Sequence, residues 1–352
     1  AGLFGHSDPV ISEALHRAID GGFVLGAPNP FEHRLAEALV GRFAALERVR
    51  FCNSGTEANL LALAAARAFT GREAVLVFHG AYHGSLLYFG HGASALNMPF
   101  PVVLSTFNDA DRAVADIDAQ AGRLAAVLVE PMQGSAGALP AEPGFLEALR
   151  TACTRHGILL ILDEVMTSRL GPGGVQGRIG LVPDMTTLGK YVGGGMTIGA
   201  FGGRADIMAR FDPGRAGAWS HGGTFNNNIL AMAAGVAAVS AEWLALGGAV
   251  WVRSVRGQGT RFFFRFPRAA MAPLGDSIID VAPATRVTVR SLPLSAPALG
   301  LMDLPIPTPS SALAGPRARV SLAPRPSAAR ITLAPSTLAV RASLAARAPR
   351  PA

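Results

Sequence analysis

Short apolar runs alternate with helix-forming stretches between residues 51 and 240. A continuous apolar run of about five residues is typical of a parallel strand, because helices cover both faces of such a sheet. We predict strands over 74–78, 125–129 and 158–162, and an extended segment over 185–188. The alternation predicts an α/β fold with a mostly parallel sheet. Ligands of such folds gather at the carboxyl ends of the strands.

Several of these runs end in residues that can do chemistry. Glu130 follows one predicted strand and Asp163 follows another, while Tyr82 and His83 come soon after a third. A buried carboxylate needs a cationic partner, and a protonated pyridine nitrogen would serve Asp163. The alternative is that Asp163 or Glu164 only caps the following turn, which is the better interpretation for an isolated acid.

Lysine occurs once, at position 190, among the 31 lysine and arginine residues. Arginine stays protonated, whereas a lysine amine can lose its proton and attack a carbonyl to form a Schiff base. The surrounding sequence PDMTTLGKYVGGG has a glycine run, 193–195, that would let a flat cofactor approach the backbone. Tyr191 stands where a phosphate-binding Walker loop needs Ser or Thr. The competing explanation is a surface lysine.

The segment NSGTEAN precedes a stretch rich in Ala and Leu, which predicts a helix that begins near Ser54. Ser54 and Thr56 are capping residues, and the free N–H groups of a helix N-terminus bind anions. A phosphate would fit beside Ser54, Gly55 and Thr56. The pattern alone is weak, since many helices begin this way without binding phosphate.

The net charge of +7 comes almost entirely from one end of the chain. Residues 271–352 contain nine Arg and three Asp, with repeated Ala, Pro, Ser and Leu and no aromatic residue. We expect this low-complexity tail to be disordered. Its arginines are dispersed, which disfavours a nucleic-acid or lipid-binding arm.

Cysteine usage and hydropathy favour a cytoplasmic protein. Cys52 and Cys153 are too few for a disulfide framework and have no partners at metal-ligand spacing, so we expect no metal site. The N-terminus lacks the pattern of a signal peptide, and charged residues or glycine interrupt each long apolar run. We expect no membrane and no nucleic-acid partner.

Six motifs follow one another in the order of a known family: NSGTEAN, GAYHG, VEPMQG, LDEVMTSRL, PDMTTLGKYVGGG and HGGTFNNN. Residues 1–243 resemble the class III enzymes of fold type I, which depend on pyridoxal 5′-phosphate (PLP). The resemblance implies the large domain of that fold, with Lys190 forming the Schiff base with PLP and moving protons. It also implies that Asp163 pairs with the pyridine nitrogen of the cofactor.

The same resemblance assigns the remaining site residues and the partners. It implies a homodimer whose active sites are shared between subunits, with an amino acid and a 2-oxo acid as substrates. The assigned residues are Ser54, Gly55 and Thr56 at the phosphate, Tyr82 and Val165 on the two faces of the ring, Thr224 at the phosphate of the neighbouring subunit, and Glu130 and His83 near cofactor or substrate.

Within the family, the sequence is similar to aminotransferases acting on β- or ω-amino acids and to glutamate-1-semialdehyde aminomutases. Three features favour an aminotransferase: the short stretch HGASALNMPFP in place of a longer gating loop, and the segments GGTFNNNILAM and GGGMTIGAFGG, which differ from the aminomutase pattern. The aminomutase stays open as the alternative.

The resemblance stops at both ends of the chain. The chain begins inside the family pattern, so we expect an N-terminal segment to be missing. The pattern stops after residue 243, so we also expect the small C-terminal domain to be missing. Residues 244–270 are similar to the last strands of a histidine-kinase ATPase domain, but lack its magnesium-binding box, and a plain hairpin turning at 256–259 is the simpler prediction. Two further hypotheses are a non-catalytic remnant that at most binds PLP, and a basic ATP- or nucleic-acid-binding module.

Overall fold

The computed structural model describes residues 3–22, 27–90, 92–239, 249–255 and 259–265, the last two ranges as backbone only. The predicted tail and the flanks of the predicted hairpin lie outside the described residues.

Helices and strands alternate through most of the described chain. The helices are α1 (Pro9–Asp20), α2 (Pro30–Arg42), α3 (Gly55–Thr70), α4 (Ala110–Gln120), α5 (Phe145–His156), α6 (Gly174–Ile179), α7 (Ala205–Met208) and α8 (Ile229–Val239). The strands are β1 (Arg48–Cys52), β2 (Ala74–Phe78), β3 (Val102–Ser105), β4 (Leu124–Val129), β5 (Met132–Gln133), β6 (Leu139–Pro140), β7 (Leu159–Asp163), β8 (Met185–Gly189), β9 (Gly199–Gly203), β10 (Ala249–Val255) and β11 (Gly259–Arg265). Short 3₁₀ turns cover Thr167–Leu170, Lys190–Gly193 and Ala209–Phe211.

One sheet of seven strands dominates the described chain, in the order β1-β9-β8-β7-β4-β2-β3. The five strands from β8 to β3 run parallel, while β9 is antiparallel to both of its neighbours. This arrangement confirms the predicted α/β class with a mostly parallel sheet. Strand β7 is shifted by one residue from its predicted range, so Asp163 is its last residue.

The sheet is buried on both faces, which explains the apolar runs of its strands. Along β4, Ala126 and Leu128 point into a core shared with α3, whereas Val127 and Val129 point into a core shared with α4 and α5. Alternate residues of a strand face opposite sides of a sheet, so an unbroken apolar run is what two covered faces require.

The last two strands, β10 and β11, pair antiparallel as a hairpin. None of the helices in the described ranges has the length and apolar character needed to cross a membrane. Those ranges also hold no group of three or more His, Cys, Asp or Glu residues placed to bind a metal ion.

Candidate active site

An open cleft of about 330 Å³ lies at the carboxyl ends of the parallel strands. It is lined by eight of the residues that the sequence singled out: Gly55, Thr56, Tyr82, His83, Glu130, Asp163, Val165 and Lys190. Asn59, Gly84, Gly134, Ser135 and Met166 complete the lining. The sheet therefore brings together residues that are up to 135 positions apart in the chain.

Helix α3 points its N-terminus into this cleft. Ser54 caps the helix, and its Oγ accepts a hydrogen bond from the Glu57 N–H at 3.1 Å. The Glu57 carboxylate reaches back to the Asn53 N–H at 2.9 Å. Within the described residues, the N–H groups of Gly55 and Thr56 have no hydrogen-bond partner. These two free donors, at the positive end of the helix dipole, suit an anion such as a phosphate.

Asp163 is only 4 % exposed, and three groups hold its carboxylate. Oδ2 accepts a hydrogen bond from Asn59 Nδ2 and lies against His83 Nδ1, both at 2.8 Å, and Oδ1 accepts from the Val165 N–H at 3.0 Å. Thr187 in turn donates to Asn59 Oδ1 at 2.7 Å, which fixes the orientation of the Asn59 amide. The carboxylate is thus fixed in place among donors that carry no permanent charge.

Asn59 is a site residue that the sequence analysis missed. It lies on the same face of α3 as Ala62, Leu63 and Ala66, all buried in the core. A polar amide at helical spacing within an apolar face needs a buried partner. That pattern was the available signal, although the identity of the partner depends on the fold.

Glu130 is 6 % exposed and holds two walls of the cleft. Its Oε2 accepts a hydrogen bond from the Tyr82 N–H and its Oε1 accepts one from the Gly134 N–H, each at 3.1 Å. Burial raises the pKa of this carboxyl to about 7, and the neighbouring Asp163 adds to the effect while His83 opposes it. Glu130 therefore changes its protonation state near neutral pH.

Lys190 follows directly after β8 and lines the same cleft. Burial lowers the pKa of its amine, and the positive charge of Arg169 lowers it further, while Asp163 and Glu130 act in the opposite direction. A lowered pKa increases the fraction of neutral amine, which is the form that attacks a carbonyl.

Asp163 and Glu164 are consecutive acids with different surroundings. Glu164 is fully buried and accepts hydrogen bonds from Thr167 Oγ1 at 2.6 Å and from the Gln176 N–H at 2.8 Å. It is not among the residues that line the cleft. The turn-holding role that the sequence left open for either acid therefore belongs mainly to Glu164.

Tyr82 and Val165 lie at the cleft on different elements. Tyr82 is 44 % exposed, with its ring 5.8 Å from that of Tyr88. Val165 packs closely on the start of α3, since a Cβ on Gly55 would come within 2.8 Å of Val165 Cγ1. Gly55 is therefore required by packing. Their predicted places on the two faces of a ring remain predictions.

Thr224 does not line the cleft and is exposed on the turn before α8. The turn is anchored near the start of α3, because Asn53 Nδ2 donates to Asn226 Oδ1 at 3.0 Å. Its predicted contact with a neighbouring subunit remains a prediction.

The family profile "Aminotransferase class-III" matches residues 1–243. The chain belongs to this family. The class-III match confirms the resemblance drawn from the six motifs, and the fold agrees with it.

Curated relatives from this class-III family include a transaminase and an aminomutase. A β-phenylalanine transaminase of Variovorax paradoxus is 52% identical over 240 residues, covering 68% of this chain and 55% of the relative. A glutamate-1-semialdehyde 2,1-aminomutase of Citrifermentans bemidjiense is 42% identical over 249 residues, covering 66% and 58%. The chain thus spans little more than half the length of these relatives.

Solved structures agree with the class-III assignment. The β-phenylalanine aminotransferase structure from Variovorax paradoxus superposes with a TM-score of 0.66 at 53% identity, covering 67% of this chain and 55% of that one. A transaminase with PLP bound superposes with a TM-score of 0.63 at 36% identity, covering 67% and 59%.

Proposed function

We propose that the class-III domain of this chain transfers an amino group from a β- or ω-amino acid to a 2-oxo acid, with PLP held at Lys190. One observation carries the proposal: the Lys190 amine, the Asp163 carboxylate and the free amides at the start of α3 border a single cleft. The names of the relatives support the substrate class, because the β-phenylalanine transaminase is 52% identical to this chain and the aminomutase 42%.

The cleft offers a partner for each charged or reactive part of PLP. The N–H groups of Gly55 and Thr56 suit the phosphate, and Asp163 suits a protonated pyridine nitrogen. Lys190 suits the aldehyde, since burial lowers the pKa of its amine. When bound, the cofactor supplies an electron sink for charge that develops on the substrate carbon bearing the amino group.

The residues of the chain divide the remaining work. Lys190 Nζ accepts the proton from the substrate carbon that bears the amino group and returns it at the acceptor position. Asp163 keeps a cationic N–H in place, because Asn59, His83 and Val165 hold its oxygens. Glu130 holds the Tyr82 wall of the cleft through its backbone N–H. These roles are part of the proposal.

A homodimer with shared active sites belongs to the same proposal, and Thr224 would contact the phosphate of the neighbouring subunit. The exposure of Thr224 on an anchored turn supports this role, since a residue that reaches into another subunit must project from its own. A cytoplasmic location is also proposed, supported by the free, buried thiols of Cys52 and Cys153.

The test compares the wild type with Lys190→Arg and Lys190→Ala after PLP is added. We expect the wild type to gain a yellow cofactor band that resists gel filtration. Neither variant should gain it, because alanine has no amine and an always-protonated guanidinium cannot attack the aldehyde. Circular dichroism checks that the variants fold. A folded Lys190→Arg protein that keeps the band and turns over an amine would contradict the proposal.

Amino donors then separate the candidate reactions. Loss of the band with β-phenylalanine, and its return on adding a 2-oxo acid, would support the aminotransferase. Isomerisation of glutamate 1-semialdehyde without any acceptor would support the aminomutase instead. A band that responds to no donor would indicate the non-catalytic remnant.

A further inference from the structure

Lys190 has an uncommon backbone conformation. Its φ angle is 56°, in the left-handed region that side chains other than glycine rarely adopt. Such a conformation persists only when surrounding contacts impose it, and it is concentrated at functional sites. The preceding Gly189 is extended, and the next residue, Tyr191, is buried within the short 3₁₀ turn that begins at Lys190.

Tyr191 is 4 % exposed and is held from three directions. Its hydroxyl donates a hydrogen bond to the Ser168 carbonyl at 3.2 Å. The guanidinium carbons of Arg42 and Arg169 each lie 5.8 Å from the centre of its ring, within the range of cation–π attraction. We call Tyr191, Ser168, Arg42 and Arg169 the Tyr191 clamp.

The two arginines of the clamp are anchored to the turn that follows Asp163. Arg42 Nε donates to the Pro172 carbonyl at 2.7 Å, and Arg169 Nε donates to the Met166 carbonyl at 2.8 Å. Within the described residues neither guanidinium forms an ion pair with a carboxylate. The clamp thus joins the residue after Lys190 to the segment that begins just beyond Asp163.

We propose that the Tyr191 clamp positions Lys190: it imposes the left-handed backbone of the lysine and so fixes where the amine enters the cleft relative to Asp163. Tyr191 is then a positioning residue that acts through its neighbour. The inference rests on the proposed function of Lys190, and it adds how the fold places that amine.

The charges around the amine agree with this geometry. Asp163 at the end of β7, Glu130 after β4 and Arg169 in the clamp are the charged groups whose fields act on Lys190. Arg169 lowers the pKa of the Lys190 amine, whereas the two carboxylates raise it. A clamp member therefore influences both the position and the protonation of the amine.

The uniqueness of Lys190 allows a test without cofactor. Isotope-labelled lysine gives the whole chain a single side-chain signal, because position 190 is its only lysine. We expect Arg169→Gln to raise the pKa of that signal, since one positive charge near the amine is removed. Arg155→Gln, which breaks an exposed ion pair with Asp118, is the matched control and should leave the signal unchanged.

The ring and the hydroxyl of Tyr191 are tested separately. Tyr191→Leu removes both, so we expect a broadened or divided lysine signal and PLP capture slowed roughly 10- to 100-fold, the usual cost of a misplaced reacting group. Tyr191→Phe keeps the stacked ring and should recover most of the rate, while Tyr88→Phe serves as a hydroxyl-deletion control. Tyr191→Phe also keeps the test valid if Tyr191→Leu fails to fold.

The two measurements separate the clamp from the proposed function. A wild type that captures no PLP would overturn the function, yet the lysine titration would still test the clamp. If Arg169→Gln and the folded Tyr191 variants all keep the wild-type lysine pKa, linewidth and PLP capture rate, the clamp does not position Lys190.

Discussion

Two buried aspartates lie at opposite ends of the neighbouring strands β7 and β8 and differ in the charges around them. Asp184 precedes β8 and is 7 % exposed; Asp163 ends β7 and is 4 % exposed. Asp184 forms ion pairs with Arg150 at 2.7 Å and Arg204 at 2.9 Å. Asp163 is held by an amide, an imidazole and a backbone N–H.

The difference concerns charge compensation and not the number of hydrogen bonds. A buried carboxylate with two guanidinium partners has its charge balanced within the fold, as a structural ion pair requires. Asp163 lines a cleft and keeps its position without an arginine or lysine in an ion pair among the described residues. Its negative charge is therefore available to a cationic ligand, which fits the proposed pyridine nitrogen.

The largest expected effect is on the reaction rate of Asp163→Asn. The amide cannot stabilise a protonated pyridine nitrogen, so we expect single-turnover amine transfer to slow by roughly two to four powers of ten. Cofactor binding should survive in part through the α3 amides. Stopped-flow absorbance of the PLP-loaded protein measures the rate. Transfer at the wild-type rate would show that Asp163 has only a structural role, as Asp184 does.

Asp184→Asn should have the opposite effect: it should lower the stability of the fold and leave the rate of amine transfer nearly unchanged. Removing the carboxylate leaves Arg150 without an ion-pair partner among the described residues, while Arg204 keeps only Asp206 there. We expect a loss of about 2 to 4 kcal/mol in the free energy of unfolding, less than for a fully enclosed pair because both arginines reach solvent. Urea denaturation measures the loss. Asp206→Asn, an exposed partner of Arg204, should cost no more than about 1 kcal/mol. A stable Asp184→Asn protein with slow amine transfer would contradict the contrast.

The smallest effect concerns the pH dependence caused by Glu130. Its pKa is about 7 in the folded chain against an ordinary value of 4.5, so the folded state holds the proton more tightly than the unfolded state. This contribution is fully present below pH 4.5 and is lost as pH rises through about 7.

Glu130→Gln imitates the protonated carboxyl and should remove this term. We compare the urea midpoints of both proteins at pH 5 and pH 8. Relative to the midpoint of Glu130→Gln, the midpoint of the wild type should be lower at pH 8 than at pH 5. Equal pH dependence in the two proteins would show that Glu130 does not titrate in this window.

The sequence by itself determined the fold class and most of the cleft. Apolar runs require a sheet covered on both faces, and the carboxyl ends of parallel strands meet at one edge, so residues after separate strands such as Glu130 and Asp163 had to converge. The single lysine and the Ser54 cap were also visible, because chemistry restricts which residue types can serve there.

Only the tertiary structure decided which contacts give these residues their properties. It separated Asp163 from Glu164, since consecutive residues diverge where the strand ends, and it brought Asn59 and the Tyr191 clamp to the site across more than a hundred positions of chain. The pKa directions of Lys190 and Glu130 likewise depend on burial and on charges that lie far away in sequence. Such properties arise from distances in space, which a pattern along the chain does not contain.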